Sequence, residues 1–139
     1  MSTYTVEVTV DAPPDRIWRV LADVPHWPQW TPTIAAVESL TEEPLRVGSR
    51  FRVEQPRLPP TVWTVDELEP GRSFSWTSGS RAVASRGYHG VEPAAGGSRV
   101  VLTFSQTGPL APVVSLVYRG LISRYVQTEA DSLKARTEG

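Results

Sequence analysis

Asp11-Ala12-Pro13-Pro14-Asp15-Arg16-Ile17-Trp18-Arg19-Val20-Leu21-Ala22-Asp23, followed by Val24-Pro25-His26-Trp27-Pro28-Gln29-Trp30, holds three of the chain's five tryptophans. Ile17, Trp18 and Leu21 share one face of a short helix. Pro13 and Pro14 suit its start, because the first turn has no partner for a backbone donor there. Pro25 and Pro28 end it, which leaves Trp27 and Trp30 three apart on a turn. Immediately upstream, Tyr4 to Val10 alternates, with Tyr4, Val6, Val8 and Val10 on one face, as in a half-buried strand. The order is therefore strand, short helix, short turn. Ile17, Trp18 and Leu21 are expected to pack under one end of a sheet, with Trp18 in the core. Trp27 and Trp30 are expected at that same end, away from any ligand.

Further strands are expected over Ile34 to Leu40, Arg50 to Glu54, Thr61 to Leu68, Ser73 to Ser78, Arg81 to Glu92 and Arg99 to Thr107. Inward pairs are Phe51 with Val53, Trp63 with Val65 and Phe74 with Trp76. Pro56 to Pro60 reads as a rigid loop, since proline cannot donate to a central ladder. Glu69-Pro70-Gly71-Arg72 and Ala95-Gly96-Gly97-Ser98 read as hairpin turns. Gly87 and Gly90 are expected to break the Arg81–Glu92 strand.

From Pro109 the period becomes helical. Leu110, Val114, Val117, Tyr118, Leu121, Ile122, Tyr125, Glu129 and Leu133 fall on one side. Arg119, Ser123, Arg124, Gln127, Asp131 and Lys134 fall on the other. The expected class is α+β: a curved antiparallel sheet of about seven strands wrapped around a long C-terminal helix, with two short helices after the first strand.

The positions Pro14, Ile17, Trp18, Leu21, Asp23, Trp27 and Trp30 resemble the polyketide cyclase/dehydrase and lipid-transport group of the SRPBCC (START-like, helix-grip) superfamily. Family-like segments continue through Val47-Gly48-Ser49-Arg50-Phe51, Pro70-Gly71-Arg72 with Trp76, and His89-x-Val91-x-Pro93. Gly96-Gly97-Ser98-Arg99-Val100 and Gly108-Pro109-Leu110 complete them. The resemblance covers nearly the whole chain. It implies a helix-grip fold over 1–139 as a single domain, with a cavity between sheet and helix.

The chain is 139 residues long, with a formal charge of −1 and no cysteine. Without clustered Lys and Arg, nucleic acid is not an expected partner. Without cysteine, disulfides, thiolate catalysis and zinc–sulfur sites are excluded. No run approaches the roughly 20 apolar residues of a membrane span. Met1-Ser2-Thr3-Tyr4 is no secretory leader, so a cytoplasmic location is expected. Two separated histidines give no metal-ligand spacing. No metal and no cofactor is expected, and the sequence points to no particular oligomeric state.

His89 is expected on the inward face with Val91, as a general base or as a hydrogen-bonded wall residue. His26 is expected in a surface turn. Tyr118 and Tyr125 lie on the apolar stripe with Leu121 and Ile122. Arg86 precedes His89 on one strand and is a candidate at the cavity mouth. Asp66 and Glu67 are adjacent on a strand and so are expected to face opposite ways. Phe51, Trp63, Phe74, Trp76 and Phe104 suit either a packed core or a cavity for a flat ligand.

The leading expectation is binding of a hydrophobic small molecule, aromatic or polyketide-like. The candidate contacts are those aromatics with Arg86, His89, Tyr118, Leu121, Ile122 and Tyr125. The alternative is a polyketide aromatase/cyclase or dehydratase using His89 and Tyr118 for proton transfer. A third reading, a protein-interaction module, requires an exposed apolar patch.

Overall fold

The computed structural model describes residues 2–42 and 44–138. β1 (Ser2–Val10) leads into α1 (Pro14–Ala22) and a 3₁₀ turn (Val24–Gln29). β2 (Ala36–Ser39), β3 (Arg50–Glu54), β4 (Thr61–Glu69), β5 (Ser73–Gly79), β6 (Ala84–Ala94) and β7 (Gly97–Thr107) follow, then α2 (Ala111–Glu138). All seven strands form one antiparallel sheet in the order β1-β7-β6-β5-β4-β3-β2. The sheet curves around α2, which is the α+β helix-grip architecture expected. Among the described residues, no helix is long and apolar enough to cross a membrane.

Local chemistry explains the turns. Pro70-Gly71 joins β4 to β5, with Gly71 at φ 80° and Arg72 N–H donating to the Glu69 carbonyl at 2.9 Å. Proline presets the first central residue of such a turn and glycine takes the positive φ of the second. Arg16 Nη1 donates to the Thr137 carbonyl at 3.3 Å, so α1 supplies a partner to an otherwise orphaned helix end.

Four expectations change. First, Trp18 is only half-buried, set edge-on to Phe74, whereas Trp27 is 1 % exposed. The 3₁₀ turn swings Trp27 under the sheet. There its indole N–H donates to the Leu21 carbonyl at 3.0 Å.

Second, α2 is rotated from the face that apolarity picked out. Ala111, Ser115, Ile122, Val126, Ala130, Leu133 and Thr137 are buried, while Leu110 and Val117 are exposed. The helix packs against β1 and β7. Small residues there let the backbones approach, so residue size as well as apolarity fixes the rotation.

Third, β6 runs unbroken through both glycines. A Cβ on Gly87 would stand 2.8 Å from Trp76 Nε1, and one on Gly90 would stand 2.5 Å from Tyr88 Oη. The glycines make room for neighbouring rings rather than interrupting the ladder. Fourth, a register shift between Val65 and Glu67 puts Asp66 and Glu67 both within reach of Arg86, so they do not face opposite ways.

Candidate functional site

Between the inner face of the sheet and α2 lies a cavity of about 410 Å³. Its aromatic wall comes from alternate positions on neighbouring strands. Trp63 stacks on Trp76, with centroids 5.5 Å apart and planes 28° apart, and Phe104 meets Trp63 edge-on at 6.4 Å. Gly87 is paired with both Trp76 and Phe104 across the ladder. Its missing side chain leaves the space that those rings border. Gly87→Ala should push Trp76 into the cavity and cost about 1–3 kcal/mol, as overpacking does. Urea melts check this, and an unchanged midpoint would show that Trp76 has room to spare.

The polar groups fall at two places. On β6, His89 is 6 % exposed, its ring stacked on Phe74 at 4.4 Å and 18° and edge-on to Trp27 at 5.2 Å. Across from it, Glu129 of α2 places Oε1 3.7 Å from His89 Nε2. That separation is too long for a hydrogen bond. His89 Nδ1 and Glu129 Oε1 have no hydrogen-bond partner. Burial holds the imidazole down to about 4; the Phe74 backbone opposes this without supplying a bond of ordinary geometry. Burial pushes the Glu129 carboxyl up to about 7. Between about pH 4 and pH 7 the pair is therefore neutral, with the carboxyl protonated and the imidazole bare.

Gln106 forms the second polar place. It is 5 % exposed, its Nε2 donates to Ser85 Oγ at 3.4 Å, and its Oε1 has no partner. Ser85 and His89 are four residues apart on β6, which is roughly 13 Å along a strand. The cavity thus offers polar groups at two separate places with an aromatic wall between them.

Trp63, Trp76, His89, Phe104, Ile122 and Tyr125 line the cavity, and Tyr118 lines its mouth at 36 % exposure. Phe51 and Phe74 are buried behind that surface, against Trp76 and His89. Leu121 is half-buried and does not line it. Arg86 is a correction. It lies three residues from His89 on a strand, an odd offset, and so on the opposite face. There Nη2 donates to Ser75 Oγ at 2.7 Å and to Glu67 at 3.1 Å, while Nε donates to Asp66 at 3.3 Å. His26 is exposed and bonded to Asp23 at 2.8 Å, as a surface turn implies.

Of the lining residues outside the expected set, three bring a large ring or a buried polar group to the cavity: Trp27, Gln106 and Glu129. Only Glu129 had a visible signal, a carboxylate on the otherwise apolar stripe of the last helix. The mouth is framed by Pro59, Gly79 and Tyr118, all exposed. There the Tyr125 hydroxyl donates to the Pro56 carbonyl, tying α2 to the β3–β4 loop.

The family model for polyketide cyclase / dehydrase and lipid transport matches residues 1–138, and the chain belongs to that family. No curated protein sequence matches it. Solved structures share the fold at low identity. A hypothetical protein of Helicobacter pylori superposes with a TM-score of 0.83 at 17% identity, covering 98% of this chain and 88% of that one. The Zhui aromatase/cyclase of Streptomyces sp. R1128 gives 0.78 at 20% identity, covering 99% and 93%. The di-domain aromatase/cyclase StfQ of the steffimycin biosynthetic pathway gives 0.78 at 16% identity. That match covers 98% of this chain and 50% of StfQ.

Proposed function

We propose that this member of the polyketide cyclase/dehydrase and lipid-transport family binds a flat, largely apolar small molecule bearing oxygen functions, aromatic or polyketide-like, between the sheet and α2. It does so as one cytoplasmic domain. The observation that carries this is the unpartnered pair His89 Nδ1 and Glu129 Oε1 in a cavity walled by Trp63, Trp76 and Phe104. Leaving a buried polar group unpaired costs about 1–3 kcal/mol. A ligand oxygen meeting the protonated Glu129 would recover that loss, and the indoles would cover the rings.

The protein's own tryptophans test it. Titration with polycyclic phenols, flavonoids and long-chain acids should quench emission saturably for the aromatic oxygenated probes. Trp76→Phe and Trp63→Phe should each reduce the quench, and Trp27 now counts among the reporters. No saturable response to any probe from the folded protein would remove the reading.

The opposed shifts of His89 and Glu129 favour a second reading, dehydration of a β-hydroxy ketone in the same cavity. Neutral His89 would take the α-proton. The forming enolate would expel the β-hydroxyl, which leaves as water with the Glu129 proton. The proton then on His89 returns to Glu129. The rate should hold between about pH 4 and 7 and fall above that, as Glu129 loses its proton. Mass spectrometry would report loss of water from a β-hydroxy ketone probe, slowed in Glu129→Gln. No turnover at pH 6 would leave the protein a binder only.

A further inference from the structure

The rim of the cavity carries one sign of charge. Residues 55–65, 70–91 and 93–128 contain no Asp or Glu, although the chain as a whole has 15 acidic and 14 basic residues. These stretches supply the β3–β4 loop, the β5–β6 loop and the first half of α2. They meet at the mouth, where Leu110 N–H donates to the Ala82 carbonyl at 2.9 Å and Tyr125 bonds Pro56.

Arg72, Arg86 and Arg99 in these stretches pair with carboxylates. Arg57, Arg81, Arg119 and Arg124 are exposed and pair with none among the described residues. Beside them, Val113, Leu116 and Val117 are 59%, 76% and 69% exposed. Val113, Val117 and Arg124 are spaced to share one face of α2, and Leu110 immediately precedes the helix.

We propose that this face docks on an anionic lipid surface. Val113, Leu116 and Val117 enter the headgroup layer, and Arg57, Arg81 and Arg124 meet lipid phosphates. Stable attachment of a peripheral protein needs two signals, and this face has both: protruding aliphatics and a basic surround. A second copy is disfavoured as the occupant, since two basic rims repel. A shaped acidic protein is disfavoured because the aliphatics stand out from the helix rather than lining a groove. A fluid surface needs no matching shape.

Arg57 lies in the β3–β4 loop of this rim. Its φ is 68°, a left-handed conformation that glycine adopts freely and a long side chain does not. Arg57 thus stands in the rim loop in a backbone state that disfavours a long side chain. The docking does not depend on what the cavity holds, so it stands or falls apart from the tryptophan titration.

The test is sedimentation of the ligand-free full chain with vesicles. Vesicles with about one-third phosphatidylglycerol in phosphatidylcholine should pellet the protein, less so as salt rises. Pure phosphatidylcholine should not. Each arginine near such a surface is worth roughly fivefold in partitioning, so Arg57→Gly/Arg81→Gln/Arg124→Gln should bind on the order of a hundredfold more weakly. Leu116→Gln/Val117→Gln should also weaken binding while keeping the salt dependence. All five positions are exposed, and circular dichroism checks that both variants fold. No pelleting with anionic vesicles overturns the proposal. So does equal pelleting with neutral ones, an unchanged arginine variant, or retention on polyglutamate beads without vesicle binding.

Discussion

Replacing Trp27 with alanine should destabilise the protein by about 3–5 kcal/mol, the range for deleting a large buried aromatic. Trp27 packs against Trp30, Phe74, Trp76 and His89, with centroids 5.7, 6.2, 5.3 and 5.2 Å away. Truncation also removes the indole donor to the Leu21 carbonyl at 3.0 Å, which ties the end of α1 to the turn. Because Trp27 borders the cavity, the lost volume joins existing empty space, and the surroundings cannot close over it. Trp18→Ala, by contrast, truncates a half-buried ring and should cost roughly 1–2 kcal/mol. Urea melts of the two variants decide the point. An equal or reversed order would mean that Trp18 rather than Trp27 is the keystone of this segment.

The contrast between these two tryptophans shows what the sequence made legible. Strand positions came through because a period of two assigns faces without ambiguity: Phe51, Trp63, Phe74, Trp76 and His89 all point inward as alternation requires. The Pro-bounded α1 and the turn after it were equally plain. Helix rotation was less so. Apolarity marked Leu110 and Val117 for burial, whereas the close approach of α2 to β1 selected Ala111, Ser115 and Ala130.

The site divided along the same line. Its aromatic wall follows from strand alternation. The His89–Glu129 contact joins residues forty positions apart on different elements, and no local pattern encodes it. Arg86 is near His89 along β6, but the odd offset between them puts it on the other face of the sheet. Asp66 and Glu67 do not alternate because a bulge between Val65 and Glu67 breaks the period of two, and no residue type in that stretch marks the bulge.

Stability should depend on pH in opposite directions once either member of the buried pair is removed. His89 has a folded pKa near 4 against an ordinary value of 6.5, so the unfolded chain binds more protons between those limits. Its contribution is therefore complete above pH 6.5 and is lost as pH falls toward 4. Glu129 has a folded pKa near 7 against 4.5, so the folded chain binds more protons in between. Its contribution is complete below pH 4.5 and is lost as pH rises through 7. Each shift is worth roughly 3 kcal/mol. In the wild type the two slopes oppose each other from about pH 4.5 to 6.5 and largely cancel. Both shifts arise chiefly from burial rather than from mutual attraction, so each should outlive loss of its partner. Glu129→Gln should thus lose roughly 3 kcal/mol relative to wild type as pH falls from about 7 to 4.5, because the Glu129 contribution that would offset the His89 slope is gone. His89→Gln should lose a similar amount relative to wild type in the other direction, as pH rises from about 4 to 6.5, where the missing His89 contribution would have accrued. Urea unfolding of the three proteins at half-unit steps across that window reads both slopes, with the exposed carboxylates subtracted by the wild-type curve. Parallel curves for all three would mean that neither group is buried as an isolated acid or base.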